Sequence, residues 1–322
     1  MLNLSLACGD YELTRPLTDG LVKVKGIELN SIILSSPERH WRMSRYQEFD
    51  ICEFSLSSYL IAKVKKMNFT AIPVFPHRRF RNAFIFINNQ KGIKEPKDLE
   101  GKKVGLRTLQ NTAGLWARGI LQNYYGVSLK DISWFTQDEE PISLPSSLKL
   151  SVQRVPLGKN LDTMLSVGEL DAVIYPEILP SFKSGNPNVE RLFKDYKKEE
   201  TNYYKKTGIF PIMHTIVIKD EVIQQHPWVA TNMLKAFRDA KEVCYKRLEN
   251  PRTVPLAWMM HSLEEQKEIL GGDPWPYNLA NNYKNLETFI SYSYEQGIID
   301  SKMKVENLFI RNTIDESPTY IK

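Results

Sequence analysis

The 322 residues, 42% of them hydrophobic, suffice for two ordinary cores in lobes of roughly 150 residues each. Lys and Arg number 43 against 38 Asp and Glu, a net charge of +5 with no basic tail; this argues against a nucleic acid partner and leaves room for a locally positive pocket holding a small anionic organic molecule. The three cysteines, Cys8, Cys52 and Cys244, are far apart and form no CxxC pair, which disfavours a disulfide scaffold or a metal site, and no run approaches the ~20 apolar residues of a membrane span.

In chain order, Leu2, Leu4 and Leu6 alternate with Asn3 and Ser5, which predicts a strand. A lipoprotein leader ending at Cys8 would need a basic flank and a longer apolar stretch, so the expected location is cytoplasmic. With that strand at 2–7, further short β-branched or aromatic runs predict strands at 26–34, 49–54, 70–75, 83–88, 102–106, 151–156, 171–175 and 212–218. Helical patterns separate them, and the stretch from 226 onward reads mainly helical. This is the pattern of an α/β protein whose open sheets are covered by helices.

One internal echo stands out. In 42–54 and again in 160–176 a helix stops, a hydrophobic-Asp pair (Phe49-Asp50, Leu170-Asp171) opens a buried strand, and a polar group follows the strand's carboxyl end. Two similar lobes are therefore expected: residues 1–87 plus 214–322 as the first, with the C-terminal helices, and 88–213 as the second. Pro96, Asp98 as helix cap and Gly101 open the second lobe at the strand 102–106. The strands at 83–87 and 213–218 would cross between the lobes as a hinge, with a cleft between.

In such sheets ligands bind at strand carboxyl ends beside helix amino termini. Three corners qualify: Glu53 with Ser55, Ser57 and Ser58; Thr108 to Thr112, ahead of a helix carrying Trp116 and Arg118; and Tyr175-Pro176-Glu177. Each also reads as plain helix capping, and only their convergence on one cleft makes them functional. Arg78, Arg79 and Arg81 lie beside the expected hinge, where a guanidinium fork matches a carboxylate. His214 is the acid/base candidate, with His77 as a second; His40, His226 and His261 read as structural. HExxH, GxxxxGK, GxGxxG and GxSxG are all absent, against metalloprotease, nucleotide-dependent and ordinary serine hydrolase chemistry.

Several strings together resemble the 4,5-dihydroxyphthalate decarboxylase family: Pro73-Val74-Phe75-Pro76 with Arg78-Arg79-Phe80-Arg81; Thr112-Ala113 with Trp116 and Arg118-Gly119-Ile120-Leu121; Thr207 to His214; and Gly272-Asp273-Pro274-Trp275-Pro276-Tyr277 with Glu295-Gln296-Gly297. The resemblance runs from Gly9-Asp10-Tyr11 to Leu308-Phe309. It departs at Leu106 to Leu109, Gln137-Asp138, Asn278 and Tyr283, near strand ends, where a change bears on the substrate.

The resemblance implies a two-lobed type 2 periplasmic-binding-protein-like fold and cofactor-free loss of CO2 from a hydroxylated aromatic acid. Such chemistry needs a cationic clamp, a proton donor and a group that polarises the phenol. The clamp is assigned to Arg78, Arg79 or Arg81 with Arg118, the donor to His214, and the phenol partner to Glu53 or Tyr11. Ser55, Thr112, Trp116 and Tyr175 complete the expected substrate contacts. The rival reading is a solute-binding protein for a small acidic metabolite, related to transporter receptors and without chemistry of its own.

Overall fold

A computed structural model describes residues 1–145, 148 and 150–314. The chain divides into two compact units. The first comprises Met1–Arg78, Ile212–Glu287 and the chain from Met303; the second comprises Arg79–Pro211 and Thr288–Lys302. The passages at Arg78-Arg79 and Pro211-Ile212 run antiparallel, joined by an isolated bridge between Arg78 and Ile212 and by a 3.1 Å bond from the Arg79 N–H to the Pro211 carbonyl.

The first unit begins with β1 (Leu2–Cys8), α1 (Arg15–Thr18), β2 (Ile27–Ile33), α2 (Ser36–Tyr46), β3 (Ile51–Ser55), α3 (Leu56–Val64) and β4 (Phe69–Ile72). Pro37 sits in the first turn of α2, where its missing N–H costs nothing, and Gln47 closes that helix in the left-handed region at φ 46°.

The second unit contributes β5 (Ile85–Asn88), β6 (Lys103–Leu106), α4 (Thr112–Asn123), β7 (Ser133–Thr136), β8 (Val152–Arg154), α5 (Leu161–Ser166), β9 (Ala172–Ile174), α6 (Pro180–Lys183), β10 (Val189–Arg191) and α7 (Tyr196–Thr207). The chain then returns through β11 (His214–Lys219), α8 (Asp220–Gln225), α9 (Trp228–Leu248), α10 (Met259–Leu270) and α11 (Tyr283–Glu295), the last of which crosses the division at Glu287.

The first sheet has the order β2-β1-β3-β11-β4. β1, β2 and β3 are parallel, and β11 is antiparallel to both of its neighbours. Its core joins Leu6, Ile51, Ile72 and Ile216 to one face of α9, where Val229, Ala230, Met233, Leu234, Phe237 and Ala240 recur at helical spacing.

The second sheet has the order β10-β5-β9-β6-β7-β8. Strand β5 pairs with β9 and β10, so it belongs to this sheet and not to the first, where the sequence reading put it. Strands β7 and β10 were not expected. Asp98 is not a cap but the third residue of a short 3-10 turn: Glu95 is the cap, and the Asp98 carboxylate accepts from the N–H groups of Lys94 and Glu95.

The echo in the sequence has a structural counterpart. Asp50 precedes β3, and its carboxylate accepts from the Ser5 N–H at 2.9 Å in β1; Asp171 precedes β9, and its carboxylate accepts from the Lys103 N–H at 2.8 Å in β6. In both units an aspartate pins the start of a buried strand to its parallel neighbour, satisfying an amide that the ladder would leave unpaired. No helix among the described residues is long and apolar enough to cross a membrane.

Candidate active site

In the first unit, the carboxyl ends of β1 and β3 and the first residue of β11 meet, with His214 directly opposite Ser55. Glu53 is fully buried, and five donors converge on its carboxylate. Oε2 accepts from the Arg39 guanidinium at 2.8 Å, the Gly9 N–H at 2.8 Å and the Cys8 thiol at 3.5 Å; Oε1 accepts from the Tyr11 hydroxyl at 2.9 Å and makes a short contact with His214 Nδ1. Burial alone would raise the pKa of this carboxylate. The charges of Arg39 and His214 and the Gly9 N–H outweigh it and hold Glu53 well below the usual range, so it is an anion.

The anion organises its neighbours. Burial, reinforced by Glu53, pushes the Cys8 thiol and the Tyr11 phenol up, so both keep their protons. The Glu53 contact at Nδ1 aims the His214 ring, and a proton on Nδ1 leaves the lone pair on Nε2. Two further rings stand edge-on to His214, His40 at 4.8 Å and His77 at 4.7 Å between centroids, and Tyr11 stacks on His77 at 5.7 Å. His40 is held well below the normal histidine value, first by burial and then by the nearby His214 and Arg39, which keeps it neutral. Among the described residues no group of three or more His, Cys, Asp or Glu side chains could hold a metal ion.

The structure brings Tyr11, Glu53, Ser55 and His214 together, with Arg78 in the same unit. Arg78 is buried with its guanidinium bonded to Asn282, whose amide is in turn held by the carbonyls of Pro276 and Asn278. Glu53 does not face an open space as a phenol partner would, because both of its oxygens are engaged. His40 is no remote structural histidine but a neighbour of His214. Arg39 was not foreseen, since Ser36-Pro37-Glu38-Arg39-His40 reads as an ordinary solvated helix start.

The second unit carries the other expected contacts. Arg81 is buried, donates to the Tyr175 carbonyl at 2.9 Å and lies 4.4 Å from the centre of the Phe84 ring. Arg118 is buried on α4, donating to Gln296 at 2.8 Å and to the Leu109 carbonyl at 2.7 Å. Arg81 Nε and Arg118 Nη1 have no hydrogen-bond partner among the described residues. Burial, aided by Arg79, pushes Arg81 down to about 9, and burial pushes Arg118 down to about 10; both still carry their charge at neutral pH.

Thr112 opens α4, behind Asn111, whose side chain caps the Gly114 N–H. Arg79 is exposed beside Phe84. Trp116 is buried, packed against Phe289 at 5.0 Å and Tyr292 at 5.6 Å. The ring of Tyr175 leans on the core of the second unit, and its carbonyl is the atom that Arg81 uses.

Two mixed sheets flanked by helices, with polar groups gathered at strand carboxyl ends, define a periplasmic-binding-protein fold. The aliphatic sulphonate binding protein SsuA of Escherichia coli superposes with a TM-score of 0.58 at 13% identity, covering 97% of this chain and 98% of that one. No protein-family model matches the chain. The 4,5-dihydroxyphthalate decarboxylase of Comamonas testosteroni is 34% identical over 317 residues, covering 96% of both chains; that of Pseudomonas putida is 36% identical over 211 residues, covering 63% of this chain and 82% of its own. The chain belongs to the 4,5-dihydroxyphthalate decarboxylase family.

Proposed function

We propose that the protein is a carboxy-lyase that removes CO2 from a hydroxylated aromatic carboxylic acid resembling 4,5-dihydroxyphthalate, without a cofactor. The observation that carries this reading is the end-to-end similarity to the Comamonas testosteroni decarboxylase. The Glu53–His214 pair gives it a chemical basis: a carboxylate held anionic against Nδ1 stabilises an imidazolium whose Nε2–H is a general acid.

A hydroxyl para to the departing carboxylate feeds electrons into the ring, and His214 delivers its proton to the carbon that bears the carboxylate. The C–C bond then breaks, its electron pair returns to the ring, and CO2 leaves. Arg81 and Arg118 supply cationic N–H groups for the acid, since a buried guanidinium N–H without a protein partner gains from an anion. Arg78, Arg79, Ser55, Thr112 and Tyr175 complete the substrate contacts in this reading, and Tyr11 polarises the phenol. In this reading the working place is the cytoplasm and the ligand is a small organic anion.

Purified protein incubated with a panel of hydroxylated aromatic acids, with CO2 release and thermal shift followed together, tests the reading. CO2 released from one acid names the substrate; a thermal shift with no CO2 from any acid overturns the enzyme reading in favour of a solute receptor. His214→Ala should abolish turnover while leaving the thermal shift by the same acid measurable, and unchanged turnover would remove His214 from the mechanism.

A further inference from the structure

We propose that Arg39 is a positioning residue that fixes the protonation of the Glu53–His214 pair, so that His214 offers Nε2–H as an acid ready to release its proton. The inference rests on the role given to His214 above. Arg39 is fully buried on α2 and makes two bonds to a single residue: Nη2 to the Glu53 carboxylate at 2.8 Å and Nε to the Glu53 carbonyl at 2.9 Å. Its Nη1 donates to the Leu34 carbonyl, so the guanidinium is held by the backbone on both sides and cannot swing away without breaking several bonds. A buried cation at this place does more than fill space.

Around the Glu53–His214 pair, His40 from α2 and His77 from the loop after β4 stand against His214, while Arg39 from α2 and Cys8 and Tyr11 from β1 and the turn after it bond to Glu53 of β3. Cys8, Tyr11 and His40 are all kept neutral by burial and their neighbours. Glu53 and Arg39 are the oppositely charged pair in this set, in contact at 2.8 Å, with the His77 ring 4.7 Å from that of His214. With both present, the guanidinium offsets much of the carboxylate's charge while the carboxylate still orients the ring. Without Arg39 the pair would carry an uncompensated buried negative charge and would bind a proton more strongly, as a coupled unit.

Removing Arg39 should therefore move the basic limb of the kcat–pH profile, which marks loss of the catalytic proton, to higher pH by about one unit or more, and should lower the plateau because a weaker acid protonates carbon more slowly. A residue that merely packs would lower activity or stability without moving the limb. Arg39→Met tests this directly. Because that variant leaves Glu53 unpaired and can fail to fold, Arg39→Met combined with Glu53→Gln removes both charges, and its limb should lie below that of the wild type. Arg39→Lys keeps the charge and should keep the limb in place even where the lost fork reduces kcat.

The same comparison is made without turnover by following the ring nitrogens of His214 by NMR, assigned by difference with His214→Asn. An Nδ1-protonated ring in the wild type, with a titration that moves up in Arg39→Met and down in the double variant, is the expected result. If every folded variant titrates with the wild type, in ring nitrogens and kcat limb alike, the proposal is overturned. If His214→Ala retains turnover, the proton-donor reading fails instead, while the NMR titration still decides whether Arg39 controls the pair.

Discussion

At Glu53, the arrangement of donors makes the charge itself structural. Arg39 has no exposure, so a neutral side chain in place of Glu53 leaves a buried guanidinium facing an amide. Breaking one partner of such a pair costs about 3–5 kcal/mol, and Glu53→Gln should show that loss in urea unfolding while also slowing turnover. Glu53 and His214 were legible because a carboxylate at a strand's carboxyl end and a histidine opening a strand are unusual places for groups that dislike burial. Arg39 was not: its partner lies 14 residues away in a strand, and nothing in a charged first helical turn says which way the arginine points. The packing of Trp116 on Phe289 and Tyr292 was not legible either, since a large aromatic beside a helix amino end looks the same whatever it packs on.

The helices of the second unit show how small residues set element packing. Gly119 lies mid-helix in α4, and a Cβ added there would come within 2.0 Å of the Tyr292 ring on α11. A ring cannot retreat as a flexible chain end can, so Gly119→Ala should destabilise by about 1–3 kcal/mol despite its better helix propensity, lowering the thermal midpoint. The contact of Arg118 with Gln296 ties the same two helices, which explains why the strings around Trp116 and Gln296 belong together although they are distant in sequence. Long alternating or β-branched runs gave most strands. β7 and β10 escaped because four and three residues, Ser133-Trp134-Phe135-Thr136 and Val189-Glu190-Arg191, are too short to display a period of two. β5 was assigned to the wrong sheet because an apolar run carries no record of its partner.

For the molecule as a whole, the buried cluster sets a direction for pH dependence. The unfolded chain takes up a proton at His40 below about 6.5, whereas the folded chain keeps that ring neutral far lower, so stability falls as the pH drops through this value. Each proton bound only by the unfolded state contributes a slope of about 1.4 kcal/mol per pH unit. Glu53 adds a second loss below about 4.5, where the unfolded carboxylate protonates and the folded one still does not. Urea midpoints measured from pH 7.5 to 4 should decline, and His40→Gln should decline less steeply between 6.5 and 4.5. The two-part α/β plan was readable from the repeated aspartate before a buried strand, because one backbone problem met twice was solved twice by the same residue type.

The position of β11 has a consequence for the order of events during synthesis. In the finished sheet β3 and β4 do not pair with each other: β11 stands between them, and it arrives only after the whole of 79–211 has been made. A nascent chain emerging from the ribosome thus holds Glu53 and Arg39 with a vacant lane beside them, and His214 enters later, on the strand that also joins the two flanking edges. Assembly of the Glu53–His214 pair and closure of the first sheet are in this way a single late step.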